Sequence, residues 1–277
     1  SGSFNVITEY DEAKHLVREQ IIKSVKKQMV SDVPLGAFLS GGIDSNIVVG
    51  AMAEASKEPV NTFTAIFRDN NLKFYNEQSE AREISRKFGT THTEIEIPTP
   101  TIYDVYEMAR MMDQPFGNPT LFLSHLISRG LRAKVTVALS GAGGDELFGG
   151  YLRYKAVMLD RYIKKMPVPL RNMVAASLDI LPNSNRNPTI RRIKEFWKGM
   201  HPDIVEQYLH WTYFLDSTEK KLLFKGQVLE KLFPSDWESS RHIIPHFNEY
   251  PELDLLNKVE WMDINSYLLN DILSYTD

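Results

Sequence analysis

The segment LGAFLS, residues 35–40, constrains the fold more than any other stretch. It is short and apolar without alternation, as expected of a strand covered on both faces. It stops at Ser40, Gly41 and Gly42 follow, and IDSNIVVGAMAEAS (43–56) resumes with a helical pattern. Strands and helices then alternate. VNTFTAIF (60–67) is β-branched and aromatic, a second strand, and NEQSEAREISRKFG (76–89) is a helix closed by Gly89. THTEIEI (91–97) alternates in polarity, which predicts a third strand nearer the sheet edge. TIYDVYEMARMM (101–112) is helical and DQPFGN (113–118) is a turn. Asn118 and Pro119 form a cap and first-position pair opening PTLFLSHLISRG (119–130), and KVTVALS (134–140) reads as a fourth buried strand. The alternation predicts an α/β fold, a doubly wound parallel sheet with right-handed crossovers.

Ahead of the first strand, TEYDEAKHLVREQIIKSVKKQM (8–29) reads as a helix with Ala13, Val17, Ile21, Val25 and Met29 on one face. Thr8 with Asp11 is its expected cap, and Lys23, Lys26 and Lys27 match the dipole at its end. After about Tyr151 strand signals thin out, and helical stretches separated by MPVP, LPNSNRNP and HPD dominate. The expected organisation is a core over 33–165 with a mainly helical region over 166–277 packed on the sheet. The opening SGS reads as a cloning scar. WMDINSYLLNDILSYTD (261–277) halts in mid-pattern, so the chain is expected to be a piece cut from a longer protein.

Composition matters chiefly for what it removes. The chain of 277 residues has no cysteine, so disulfides, thiolate metal sites and thiol nucleophiles are excluded. That fits a reducing compartment, and a cytoplasmic location is expected. A net charge of -4 gives no electrostatic reason to expect nucleic-acid binding. No apolar stretch approaches the roughly 20 residues needed to cross a bilayer, so no membrane partner is expected.

Ligands of open parallel sheets bind outside the carboxyl ends of the strands, and two glycine-rich stretches fall there. In Ser40-Gly41-Gly42-Ile43-Asp44-Ser45 the glycines let backbone amides approach an anion, the following helix adds partial positive charge, and the serines can donate to phosphate oxygens. Asp44 would repel a bare phosphate, which points to a divalent cation between them. SGAGGDELFGGY (140–151) follows the fourth strand and carries Asp145 and Glu146. Either loop alone reads equally well as a plain glycine turn with a capping aspartate. No lysine follows the glycines, so the Walker A arrangement is absent.

These stretches resemble a known family. SDVPLGAFLSGGIDS is similar to the pyrophosphate loop of the PP-loop ATP pyrophosphatases, and with ALSGAGGDELFGGY it resembles the synthetase domain of class B, glutamine-dependent asparagine synthetases. DQPFGNP and FGTTHTEI follow the same pattern. The resemblance implies ATP-dependent amidation of a carboxylate, aspartate to asparagine, through an acyl-adenylate with release of AMP and pyrophosphate. It implies ATP and Mg2+ as cofactors. Ser40, Gly41, Gly42, Asp44 and Ser45 would hold the β- and γ-phosphates, Asp44 and Asp145 the magnesium. Leu39, Ala65, Ser140 and Gly141 match positions around the adenine and ribose. No catalytic residue is assigned. The implied partners are a small-molecule carboxylate and ammonia from a glutaminase domain absent from this chain, with a homodimer left open as the assembly.

This sequence departs from the family in lacking both that glutaminase domain and the segment, with its catalytic lysine, expected after YTD; the fragment alone is therefore expected to be inactive. It also has Ala142 where asparagine synthetases have glutamate, which leaves open an acceptor other than aspartate, such as a sugar acid. A nucleotide-binding domain without turnover is disfavoured by Asp44 and Asp145 together, and a tRNA-thiolating relative by the missing cysteines. His242 and His246 read as a loop pair rather than a metal site, given Pro245 between them. His92 and His125 read as packing or hydrogen-bonding residues, and Trp197, Trp211, Trp237 and Trp261 as anchors. The basic run Arg186, Arg191, Arg192, Lys194 and Lys198 reads as a solvated face. Tyr151 and Tyr154 fit a pocket border and a packing role equally well.

Overall fold

The structure, a computed structural model, describes residues 7–68, 73, 76–99, 101–112, 116–181, 188–212, 222–223, 226–228 and 242–276. The chain divides into two compact units, Ser1–Ala142 with Tyr275–Asp277, and Gly143–Ser274. Residues 113–115 of the expected turn, residues 182–187 including Arg186, and Trp237 lie outside the described residues.

The first unit runs α1 (Tyr10–Gln28), β1 (Leu35–Phe38), α2 (Ile43–Ala55), β2 (Asn61–Phe67), α3 (Gln78–Phe88), β3 (Thr91–Ile97), α4 (Ile102–Met111), α5 (Pro119–Leu131) and β4 (Val137–Leu139). The strands form one parallel sheet in the order β3-β2-β1-β4. Alternation along the strands distributes side chains to two covered faces. Ala37 and Leu39 turn toward Val25 of α1, Val49 and Met52 of α2 and Ala81 of α3. Phe38 and Phe63 turn the other way, toward Ile127 and Leu131 of α5, and Phe67, Ile97 and Leu126 extend that layer. Each large apolar side chain so buried contributes about 1.5–3 kcal/mol. Helices on both faces make the sheet doubly wound, as the alternation predicts.

Local signals hold where their chemistry is local. Gly89 closes α3 at φ 64°, a left-handed conformation that suits glycine. Asn118 caps α5, its Oδ1 accepting from the Thr120 amide at 2.9 Å, with Pro119 in the first turn. Thr101 and Asp104 form a reciprocal capping box at α4.

Other expectations need correction. The fourth strand is not buried: only Val137–Leu139 is extended, and Val137 is 41% exposed. β4 pairs with β1 alone and so forms an edge, while residues 132–134 are still a turn leaving α5. Thr8 does not cap α1. The N-cap is Glu9, with no side-chain capping bond, and the helix start relies on Asp11 and Glu12. On the face expected for α1, Val17 is exposed and Val25 is buried, because the helix meets the sheet only through its last turns.

The second unit is helical throughout its described residues: α6 (Gly144–Phe148), α7 (Leu152–Ile163), α8 (Val168–Ile180), α9 (Pro188–Lys198), α10 (Ile204–Thr212), α11 (Ile244–Asn248), α12 (Leu255–Asp263), a π-helical segment Ile264–Ile272 and α13 (Leu273–Thr276), whose last residues belong to the first unit. Its core joins Tyr154 and Val157 of α7 to Val205, Tyr208 and Leu209 of α10 and Val259 and Met262 of α12. A buried charge organises it. The Asp263 carboxylate accepts from the hydroxyls of Tyr154 at 2.7 Å and of Tyr208, and from Arg153 at 2.8 Å. The Arg153 guanidinium lies 3.8 Å from the Tyr151 ring centre and 4.7 Å from that of Tyr267. Burial alone would lower the arginine's pKa, but Tyr208 and Asp263 more than offset it and hold it above its ordinary value. Tyr154 is thus a core residue, 2% exposed, while Tyr151 donates to the buried Glu146 carboxylate at 2.6 Å. Trp211 stacks on Phe196 at 5.2 Å, Trp197 meets the same ring edge-on, and Trp261 meets Tyr250. Arg191, Arg192 and Lys198 are exposed and Lys194 half-buried.

Removing one partner of a buried ion pair strands the other charge, whereas removing both does not. Asp263→Ala should therefore lose about 3–5 kcal/mol in urea unfolding, and the Arg153→Met/Asp263→Leu pair clearly less. Equal losses in the single and double variants would contradict this account of the second unit.

Candidate functional site at the carboxyl ends of β1 and β4

The strand order places a reversal of winding between β1 and β4: the chain steps from β1 through β2 to β3 on one side, then returns to β4 on the other. Loops leaving adjacent strands at such a point diverge and open a crevice. Leu39 prolongs β1 by one residue, its amide donating to Phe63 O at 2.8 Å and its carbonyl accepting from the Thr64 hydroxyl. Beyond it the chain turns on a small hydroxyl network. Ser40 Oγ and Ser45 Oγ are 2.9 Å apart, the Gly42 amide donates to Ser40 Oγ at 3.1 Å, and Ser45 Oγ donates to Gly42 O at 3.1 Å. A hydroxyl has one proton, and here Ser45 gives its own to Gly42 O and Ser40 its own to Ser45 Oγ, so a phosphate would receive these donors only by replacing bonds of the turn. α2 starts at N-cap Gly42 without a side-chain cap, Asp44 in its first turn. Its 13 residues direct a positive dipole end at the loop.

The second loop arrives at the same place. Ala142 N donates to Ser140 Oγ at 3.3 Å, and Gly141 lies flat against the first loop. A Cβ at position 141 would stand 2.7 Å from Ser45 N and 2.8 Å from Asp44 Cβ, so only glycine permits this approach. Between the loops, β2 and α5 lies a cavity of about 380 Å³, inside the roughly 300–1,000 Å³ range of small-molecule sites. Its walls are apolar at Leu39, Phe63, Ala65 and Ile127 and carry hydroxyls at Ser128 and Ser140.

Of the residues expected at a site, Leu39, Ser40, Ser45, Ala65 and Ser140 line this cavity, Gly141 abuts Asp44 and Ser45, and Gly41, Gly42 and Asp44 form the adjoining turn. Asp145 belongs to the second unit, in the first turn of α6. His92 lies within the sheet, its Nδ1 3.1 Å from Thr62 Oγ1, and burial lowers its pKa despite Glu94. His125 is not among the cavity residues. His242 precedes α11, which carries His246, and the described residues contain no group of His, Cys, Asp or Glu ligands suited to a metal. Sequence reasoning missed Glu77, which lines the cavity and accepts from the Gly41 amide at 2.9 Å, and Thr64, which holds Leu39. An acid directly before α3, at the carboxyl end of β2, was the available signal for Glu77.

Asp44 and Glu77 offer carboxylate oxygens; among the described residues they are too few to cage a metal on their own, but magnesium usually takes only one or two carboxylates together with the phosphates of its ligand. The close approach at Gly141 yields a prediction. Gly141→Ala should cost about 1–3 kcal/mol by overpacking, because neighbouring backbone must shift. Gly42→Ala, whose Cβ would meet only Ser40 Oγ at 3.2 Å, should cost less. Thermal melting of both variants checks the order, and equal melting points would contradict it.

Comparison with known proteins places the chain in a family. The family profile described as asparagine synthase matches residues 16–277. Over 274 residues the chain is 28% identical to asparagine synthetase [glutamine-hydrolyzing] 1 of Bacillus subtilis, covering 98% of this chain and 41% of that protein. It is 34% identical over 249 residues to a putative asparagine synthetase [glutamine-hydrolyzing] 2 of Methanocaldococcus jannaschii, covering 81% and 47%. A putative asparagine synthetase of Mycobacterium bovis is 28% identical over 272 residues, 97% of this chain and 38% of that protein. The chain thus spans less than half the length of these curated relatives. With the profile matched across nearly all of its sequence, the chain belongs to the asparagine synthase family.

Proposed function

We propose that this chain is the ATP-using part of an amidotransferase that converts a carboxylate to an amide, with aspartate to asparagine as the first reading. The observation that carries the proposal is the meeting of the two glycine loops at Gly141 beside a cavity of about 380 Å³. In this reading adenine and ribose occupy the cavity against Leu39, Ala65, Ser140 and Gly141. The β- and γ-phosphates lie on the turn Ser40, Gly41, Gly42, Asp44 and Ser45, where amides and a helix amino end favour anions. Asp44 supplies a carboxylate for magnesium, which would offset charge building on the departing pyrophosphate; the family resemblance assigns the same role to Asp145.

The reaction balances without a further reagent. A carboxylate oxygen attacks the α-phosphorus of ATP, the bond to the β-phosphate oxygen breaks, and pyrophosphate leaves. Ammonia then attacks the acyl carbon, loses one proton to solvent, and AMP departs with the acyl oxygen. Ammonia comes from a glutaminase domain outside this sequence. The chain alone is proposed to bind nucleotide without releasing glutamate from glutamine. The proposed setting is the cytoplasm; among the described residues no helix is long and apolar enough to cross a membrane.

Ala142 favours a second reading. It is exposed and lines the cavity, at a position where asparagine synthetases carry glutamate. Alanine cannot move a proton or steer ammonia, and it leaves room for a larger acceptor. Calorimetric titration with magnesium-ATP tests the shared claim: the wild-type chain should bind, and Asp44→Asn should weaken binding tenfold or more. Undiminished binding would overturn the phosphate site. Pyrophosphate release by the full-length protein with ammonia, across aspartate, glutamate and uronic acids, separates the readings. Turnover on aspartate alone at about 1 per second or more would remove the larger acceptor.

A further inference from the structure

Glu77 is the N-cap residue of α3, yet its side chain makes no capping bond to that helix. It reaches instead across the carboxyl end of the sheet, and its Oε2 accepts from the Gly41 amide at 2.9 Å. Its placement is fixed by Asn76. The Asn76 side chain pairs both ways with the backbone of Phe67, Oδ1 accepting from N at 2.8 Å and Nδ2 donating to O at 3.0 Å. The amide group thus extends the bonding of β2 past its last residue and brings the chain back to the cavity mouth. Glu80 follows one turn into α3, its Cβ only 3.1 Å from where a side chain on Gly41 would begin. Ser79 donates to Glu80 at 2.7 Å, which lowers that acid's pKa and keeps it ionised.

Glycine turns that open helices present amides to anions, and here a carboxylate of the protein already holds one of them. Glu77 is exposed, and a single hydrogen bond in such a setting adds little to stability. Glu77, Glu80 and Asp44 instead place negative charge around the amides that a polyphosphate would need. A bare anion meets repulsion and a competitor for Gly41 N. An anion carrying a divalent cation meets carboxylates that can face the metal.

We propose that Glu77 is a specificity-determining residue that makes polyphosphate binding at this loop conditional on a divalent cation: its carboxylate holds the Gly41 amide and yields it only to a metal-bound phosphate. The proposal rests on the reading of residues 40–45 as a polyphosphate loop.

The test is calorimetric titration with inorganic pyrophosphate, once with EDTA and once with magnesium. Wild type, Glu77→Gln, Glu77→Ala and Glu83→Gln are compared, the last making the same charge change on the exposed face of α3. The wild-type chain should bind pyrophosphate far more tightly with magnesium than with EDTA, where its binding is weak but measurable. Both Glu77 variants should bind metal-free pyrophosphate about tenfold more tightly than wild type, since the repulsion between two unit charges about 4 Å apart in bulk water is of that order. Glu83→Gln should behave as wild type. If the wild type binds magnesium-pyrophosphate but the Glu77 variants keep its metal dependence, or if Glu83→Gln gains as much, this inference fails while the loop assignment stands. If the wild type binds no pyrophosphate with or without magnesium, the loop assignment fails and takes the inference with it.

Discussion

The site depends on one steric fact: the backbone at Gly141 lies against Asp44 and Ser45 with no room for a side chain between them. Adjacent parallel strands whose connections leave in opposite directions normally separate at their carboxyl ends. In this protein β1 and β4 separate enough to leave a cavity, while the chain beyond β4 folds back onto the turn beyond β1. Beside this contact α2 starts from its N-cap at Gly42, and Leu39, tied to Phe63 and Thr64 of β2, forms a wall of the cavity. The two loops meet through backbone at Gly141, while the serines and Glu77 bond within and beside the first turn.

The second unit uses the opposite strategy. Its helices close on a buried charge, with Asp263 held by Arg153 and by the hydroxyls of Tyr154 and Tyr208. Such an arrangement costs desolvation and is restored only by complete pairing. The network joins α7, α10 and α12, which are distant in sequence, and it lies just after the second glycine-rich stretch. Glu146 and Tyr151, at the end of that stretch, are held by their own buried hydrogen bond.

Much of this was legible in the sequence, for identifiable reasons. The four strands, the parallel alternation, Gly89 and the Asn118–Pro119 pair are written in local chemistry, and local chemistry survives folding. The turn at Ser40–Ser45 could be read because its glycines interrupt an apolar strand and a helical pattern, while one loop alone reads equally well as a plain turn. What failed was what depends on neighbours. The apolar residues of β4 predict a buried strand, but strand order makes it an edge. Val17 lies on the apolar face of α1 and is exposed because the sheet is reached only near Val25. Glu77 and Thr64 act through partners about 25 to 36 residues away along the chain, and no periodicity records such a pairing. Asp263 reads as one acid among many until Arg153 and the tyrosines converge on it.

The central claim is that the cavity beside Leu39 and Ala65 holds a nucleotide base while the turn at Gly41 and Gly42 holds its phosphates. A crystal structure of the chain with magnesium and a non-hydrolysable ATP analogue tests it most directly. The account predicts the base between Leu39, Ala65 and Ile127, and the terminal phosphates over the amides of residues 41–45 with the metal at Asp44. Density for the nucleotide elsewhere on the chain, with the Glu77–Gly41 contact undisturbed, would contradict it.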